Sequence, residues 1–312
     1  MAQADISRIN VELVRSSIAR RQLISGGFAI LGLLTLFVAM IALSALVLQL
    51  FVQGLPKLDW QFFTSFPSSN HEEAGILAAW VGSALVMLST LVIAVPLGVA
   101  AGIYLEEYAT QNWLSALIEI NVTNLAGVPS IVYGLLALGF FNGTLKLGES
   151  ILTAGLTLAL LILPIVIVTT RESLRAIPSS LREAAYALGA SKWQMIWDHV
   201  LPYSFGSILT GIIIGLSRAI GETAPLITIG ALTFIAFLPP APLQPNFPFV
   251  SFEWLKAPFT VMPIQMFNWV SRPEPEFQVN SAAAGVVLIF MTLTMNGLAI
   301  YLRYRFRKGV KW

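Results

Sequence analysis

The 312-residue chain contains no cysteine. Disulfides, thiolate metal sites and cysteine nucleophiles are therefore excluded. Charge is scarce as well. Asp, Glu, Lys and Arg make up 11% of residues, against about 25% in an ordinary soluble domain. The net charge of +2 comes from scattered cations, which excludes the basic surface that nucleic acid requires. His71 and His199 are the two histidines and stand alone, so no metal-ligand spacing exists. The sequence has no G-x-x-x-x-G-K-[ST] run and no Gly-Lys dipeptide. It therefore lacks the loop that cradles nucleotide phosphates. No Ser/His/Asp arrangement or paired carboxylate suggests a catalytic centre, and the chain does not read as an enzyme by itself.

What the chain has in excess is apolar surface. Hydrophobic residues reach 56% before the 23 glycines are counted. A soluble domain cannot bury that much, and a disordered chain has the opposite bias. Lipid must be the solvent for most of it. A helix crossing about 30 Å of hydrocarbon needs about 20 apolar residues. Charge-free runs extend over Gln22–Pro56, Ala74–Leu105, Ile120–Leu145, Ser150–Thr170 and Phe277–Leu302, and Val200–Phe252 is interrupted only by Arg218 and Glu222. They predict an all-α integral membrane protein with six transmembrane helices, near 26–50, 76–103, 121–142, 151–170, 204–237 and 280–303. Continuous rather than alternating runs favour helices over a barrel. The first run is about twice the length of a signal-peptide core and follows Asp5 and Glu12, so it reads as a retained helix.

Lysine and arginine set the orientation. Arg8, Arg15, Arg20 and Arg21 precede the first span, Arg171, Arg175, Arg182 and Lys192 follow the fourth, and Arg303, Arg305, Arg307, Lys308 and Lys311 close the chain. The opposite side has Lys57, Lys146, Lys256 and Arg272. Both termini are expected in the cytoplasm. The organisation is a tail over 1–25, a six-span domain over 26–303 and a basic tail over 304–312. Glu106 and Glu107 make the second-to-third connection acidic, against this trend, but acidic residues weigh little in the rule. More than half of the 17 prolines fall between Pro239 and Pro275, among Phe247, Phe249, Phe252, Trp254, Phe259, Phe267 and Trp269. Residues 238–279 read as a long extracytoplasmic loop, partly polyproline-like, with aromatics at headgroup level or presented to an external protein.

The loop over 171–203 is expected in the cytoplasm and is the most informative segment. Pro178 ends any continuation of the fourth span. Ser180 and Glu183 have the spacing of a capping box, opening a helix with Leu181, Ala184, Ala185 and Leu188 on one face. Gly189 supplies a left-handed terminator. Ser191 and Gln194 form a second capping box, and Trp193, Ile196, Trp197 and Val200 share a face of the next helix, which Pro202 separates from the fifth span. Two helices of about two turns are not stable alone. They either rest on their own membrane domain or plug a groove in a cytoplasmic partner.

The string EAAYALGASKWQMIWDHVLP resembles the EAA loop of importer-type ABC permeases. Glu183, Ala184, Ala185 and Gly189 keep its spacing and Leu201-Pro202 its close. The resemblance implies a MetI-like permease fold and coupling helices that dock on an ATPase, using Ser180, Glu183, Ala184, Ala185, Leu188, Gly189, Ala190 and Trp193.

Arg218 and Glu222 lie four residues apart and share a helix face. Ser204 to Arg218 spans about 21 Å of helix rise, deep in the bilayer. Pro225 removes the N–H that would bond the carbonyl of Gly221, so Gly221, Glu222, Thr223, Ala224 and Pro225 mark an expected break. Such breaks line cavities in membrane proteins. The pair is either a structural lock or part of an anion route in which Arg218 attracts substrate and Glu222 tempers its hold. Asn121, Asn124, Pro129 and Ser130 of the third span line the same route or mark a plain kink. Pro129 frees the carbonyl of Leu125. Glu119 is expected at the interface.

LSRAIGETAPLITIG, AAGIYLEEYA, NLAGVPSIVYGLLALG and VMPIQMFNWVSRP are similar to the phosphate-import permeases, of PstA type rather than PstC type. That resemblance assigns Arg218 and Glu222 to phosphate passage. It implies a subunit of a bacterial inner-membrane phosphate importer with a second homologous permease, two cytoplasmic ATPases and an external phosphate-binding protein. ATP and Mg would reside on the ATPase, and no cofactor on this chain. Two other classes remain open on the residues alone. One is a secondary transporter or channel with the pair as an ion relay. The other is a non-transporting scaffold. Within the importer class, a different oxyanion is an alternative substrate.

Overall fold

A computed structural model describes residues 11–110, 112–244 and 249–307. Arg8, Phe247, Lys308 and Lys311 lie outside the described residues. The described residues fall into two units, one ending at Val52 and the other beginning at Gln53. The first unit holds most of α1 (Val11–Gly54), whose side chains are exposed throughout 17–49. From Leu23 to Val52 apolar residues lie on all sides of this helix, the pattern of a membrane span rather than of a helix on a soluble core.

In the second unit, α2 (Trp60–Thr64) is capped by the Asp59 carboxylate, which accepts from Phe62 N–H at 2.7 Å. Next come α3 (Leu77–Ile103), α4 (Trp113–Leu125), α5 (Ser130–Ala137), α6 (Ile151–Arg175), α7 (Ser179–Ala187), α8 (Lys192–Gln194), α9 (Leu201–Ala219), α10 (Ala224–Thr228), α11 (Met262–Val270) and α12 (Glu276–Arg307). Wide π-helical turns prolong α3 over Tyr104–Tyr108, prolong α5 over Leu138–Thr144, and join α8 to α9 over Met195–Val200. Among the described residues, five helices are long and apolar enough to cross a membrane, and α4 with α5 makes a sixth if that bent pair is one span.

The spans depart from straight rods at three places, and one expectation, that for Pro202, is corrected. The third span bends sharply at the kink that Pro129 allows, and α4 and α5 meet at 107°. Pro129 explains the bend, and the carbonyl it would deprive is re-satisfied. Leu125 O accepts from Val128 N–H at 3.1 Å and from the Tyr133 hydroxyl at 2.7 Å. The fifth span, over 204–237, is interrupted where a break is expected: its helix ends at Ala219, and the chain runs on as short α10 and irregular backbone. Pro202 separates nothing. A continuous helix runs from Lys192 to Ala219, because Leu201 N–H reaches back to Ile196 O through the wide turn, which gives the ring room.

Helices α3 and α6 form the centre. Gly98 and Gly102 of α3 face Val166 and Thr170 of α6, and an added Cβ would lie 2.7 Å and 2.6 Å from those side chains. Small residues in lipid let helices approach where no hydrophobic effect drives them together. Polar bonds fasten α9 to α12: the Ser217 hydroxyl donates to Asn296 Oδ1 at 2.7 Å, and Arg303 Nη1 donates to Thr210 Oγ1 at 2.8 Å.

The Pro-rich segment folds in part onto the end of the bundle where α6 begins. Ile151 N–H bonds Ala257 O at 3.1 Å. Trp254, Phe259 and Trp269 are buried, while Phe249, Phe252 and Phe267 are exposed. Pro263 opens α11, where a missing N–H costs nothing. A polyproline reading therefore does not hold for 253–270.

Candidate functional site: a loop and an ion pair on one helix

The loop carries its own architecture. Helix α7 starts directly after Pro178, whose φ of −56° and ψ of 141° place it at the N-cap with no side-chain cap bond. Ser180 is then inside the first turn, so the expected Ser180–Glu183 capping box is absent. Glu183 is exposed. The second box is present: the Ser191 hydroxyl accepts from Gln194 N–H at 3.3 Å, and Gln194 Oε1 accepts from Ser191 N–H at 2.9 Å.

Gly189 has φ +82°. Its N–H bonds Tyr186 O at 2.9 Å, and Ala190 N–H bonds Ala185 O at 3.1 Å. These two bonds make a Schellman terminator. Under the loop, Ala185, Met195, Ile196 and Val200 close an apolar knot with Leu174, and Leu181 and Ala190 pack against it. Ala184, Leu188, Trp193 and Trp197 point outward. Leu188 is 87% exposed, and the Trp193 and Trp197 rings sit 5.2 Å apart. The expected face of Leu181, Ala184, Ala185 and Leu188 is thus split, with Leu181 and Ala185 anchoring the helix and Ala184 and Leu188 exposed.

A set of ion pairs escaped the sequence reading. Arg182 Nη2 lies 2.7 Å from Glu107 Oε1, and the same guanidinium donates to Leu174 O at 2.9 Å and Ile177 O at 2.8 Å. Arg175 Nη2 lies 3.1 Å from Glu106 Oε2. Arg171 reaches Glu106 at 3.6 Å and Glu119 at 3.0 Å. Lys192 Nζ stands 4.9 Å from the Tyr108 ring centroid. The acidic pair that ran against the charge trend is the partner of the loop's cations. Glu119 is placed inside α4 and paired there.

At the far end of the Lys192–Ala219 helix, Arg218 Nε lies 3.3 Å from Glu222 Oε1, with side-chain exposures of 41% and 18%. The expected break is present. Gly221 and Glu222 leave the helix through tight turns, with Gly221 N–H on Arg218 O and Glu222 N–H on Ala219 O. Thr223 is the N-cap of α10, with Pro225 in its first turn. Helix α10 packs on α5, because a Cβ at Gly134 would overlap Thr228 Oγ1 and stand 2.7 Å from Pro225. Ser130 is the first residue of α5 and half-buried, whereas Asn124 is exposed in the last turn of α4. Among the described residues no hydrogen bond joins Asn124 or Ser130 to the pair.

A family profile described as the inner membrane component of binding-protein-dependent transport systems matches residues 94–311. The chain belongs to this family. It is a multi-pass protein of the bacterial inner membrane. Among its relatives, the phosphate transport system permease protein PstA of Yersinia pestis is 36% identical over 279 residues, 86% of each chain. The fold of this inner membrane component also matches solved transporters. A bacterial alginate ABC transporter crystallised with its periplasmic protein aligns with a TM-score of 0.64 at 14% identity, covering 93% of this chain and 96% of that one. An inward-facing MetNI methionine ABC transporter aligns with a TM-score of 0.55 at 16% identity, covering 74% and 95%. At those identities the likeness is one of fold.

Proposed function

We propose that this chain is the PstA-type permease subunit of an ATP-driven phosphate importer. It forms half of the path and pairs with a second, homologous PstC-like permease. Two cytoplasmic ATPases bind ATP and Mg, and an external protein delivers phosphate. The permease itself has no nucleotide site and no cofactor. Its termini and the loop over 171–203 face the cytoplasm, and residues 238–279 face outward.

One observation carries this reading. The continuous helix Lys192–Ala219 has the loop's exposed apolar face at one end and the half-exposed Arg218–Glu222 pair at the other. An ion pair buried solely to lock helices would be shielded on all sides. Arg218 is left open to space that a second permease would enclose, and there a guanidinium attracts an oxyanion. Glu222 holds it in place and limits how tightly the anion is retained. Gly221 and Pro225 make the break, Thr223 stands at the N-cap of the half-helix beyond it, and Ser130 and Asn124 extend the lining toward the α4–α5 bend. On the loop, Glu183, Ala184, Leu188 and Trp193 meet the ATPase. Ser180 lies within the first turn of α7, and Ala185, Gly189 and Ala190 hold the shape. Closure of the ATPases on nucleotide pushes the loop, and the rigid helix moves its far end between outward and inward access.

Gentle detergent extraction tests this. An ATPase should co-purify, and its turnover should rise with phosphate-loaded binding protein. Phosphate transport by the chain alone, without ATPase, would reject it.

A further inference from the structure

Three consecutive residues at the end of α3 each hold a cation from the loop. Glu106 takes Arg175 and Arg171, Glu107 takes Arg182, and Tyr108 takes Lys192. These cations come from the end of α6, from α7 and from the start of α8. The wide turn over Tyr104–Tyr108 lets neighbouring residues serve partners on different elements. Solvent is largely excluded from the central contact, where the Glu107 side chain is 7% exposed and Arg182 21%. Arg182 also binds the backbone carbonyls of Leu174, in the last turn of α6, and of Ile177, in the link that follows. One guanidinium thus ties α7, the last turn of α6 and the tip of α3 at a single point, above the apolar knot of Leu174, Ala185 and Ile196.

We propose that Glu106, Glu107 and Tyr108 form a receiver for coupling-loop motion, with Arg182 as its pin. The inference rests on the importer reading and adds a second route of transmission. The Lys192–Ala219 helix carries loop displacement to Arg218. The receiver carries the same displacement into α3, which packs on α6 through Gly98 and Gly102. Without the pin, α7 tilts on its ATPase while α3 stays in place. Glu107 and Arg182 are positioning residues and touch neither phosphate nor nucleotide.

The test uses the complete importer in proteoliposomes, reading phosphate imported per ATP hydrolysed. Glu107→Gln should lower that ratio at least about tenfold while ATPase co-purification and basal hydrolysis stay at the wild-type level. A wild-type ratio in Glu107→Gln would overturn the proposal. Loss of ATPase co-purification would overturn it too, since the pair would then serve docking and not transmission. The chain has no native cysteine, so the Glu107→Cys/Arg182→Cys variant allows a covalent replacement of the pin. A short bis-methanethiosulfonate cross-linker should restore the ratio and a reductant should abolish it again. No recovery on cross-linking would reject the joint. Absence of ATP-driven phosphate uptake by the wild-type complex would instead reject the importer reading on which it rests.

Discussion

Gly189 offers a perturbation whose cost is confined to the backbone. Its φ is +82°, and a Cβ built there meets nothing within 4 Å. A substitution therefore creates no clash. It only forces an L-residue into the left-handed region, at about 1–2 kcal/mol for alanine and more for a β-branched side chain. That cost acts on two bonds, Gly189 N–H to Tyr186 O and Ala190 N–H to Ala185 O, which set the angle between α7 and α8. A cost of 1–2 kcal/mol shifts the correctly terminated loop by about 5- to 30-fold against alternatives. The expected order of phosphate imported per ATP is wild type, then Gly189→Asn, Gly189→Ala and Gly189→Val. Asparagine tolerates this region, so its variant should stay near wild type, and valine should be almost uncoupled. The assay is ATP hydrolysis and phosphate uptake measured together in proteoliposomes. Equal coupling in the valine and asparagine variants would refute the claim that loop shape is transmitted through this terminator.

Three further outcomes are expected. Glu183 makes no cap, so Glu183→Ala should leave thermal stability within about 0.5 kcal/mol while weakening ATPase retention during purification; a clear drop in melting temperature would restore the capping role. Tyr133→Phe removes the bond to Leu125 O and should destabilise by about 1 kcal/mol, read as a lower thermal midpoint, and an unchanged midpoint would show that the bend holds without it. Gly134→Val must drive α10 from α5, at about 1–3 kcal/mol of overpacking. Uptake should fall with the ATPase still bound, and normal uptake would show that this close approach is dispensable.

Much of the bundle was legible because lipid imposes long apolar runs that stand out against sparse charge. The break after Arg218 was legible from Pro225 and the glycine before it. The ion pairs at the loop were not. Glu107 and Arg182 are 75 positions apart, and helical pairing rules reach only three or four residues. The visible signal was Glu106-Glu107 on an otherwise basic side, an anomaly that a search for partners would have resolved. Helix α11 was hidden by the prolines around it, although Pro263 is itself a start signal. Pro202 misled because a proline normally ends a helix, and a π turn upstream leaves no mark in the sequence. The Ser180 box failed by two positions, since the N-cap is Pro178. Pro178 starts the helix early enough to place Ser180 inside it.

The central claim is that one helix joins an ATPase-driven loop to an anion route at Arg218. Uptake of radiolabelled phosphate by the complete importer, wild type against Arg218→Ala, tests it most directly. Wild type should import only with ATP and loaded binding protein. Arg218→Ala should assemble and hydrolyse ATP but import nothing. Unchanged phosphate uptake by Arg218→Ala would contradict the account and leave the pair a packing contact.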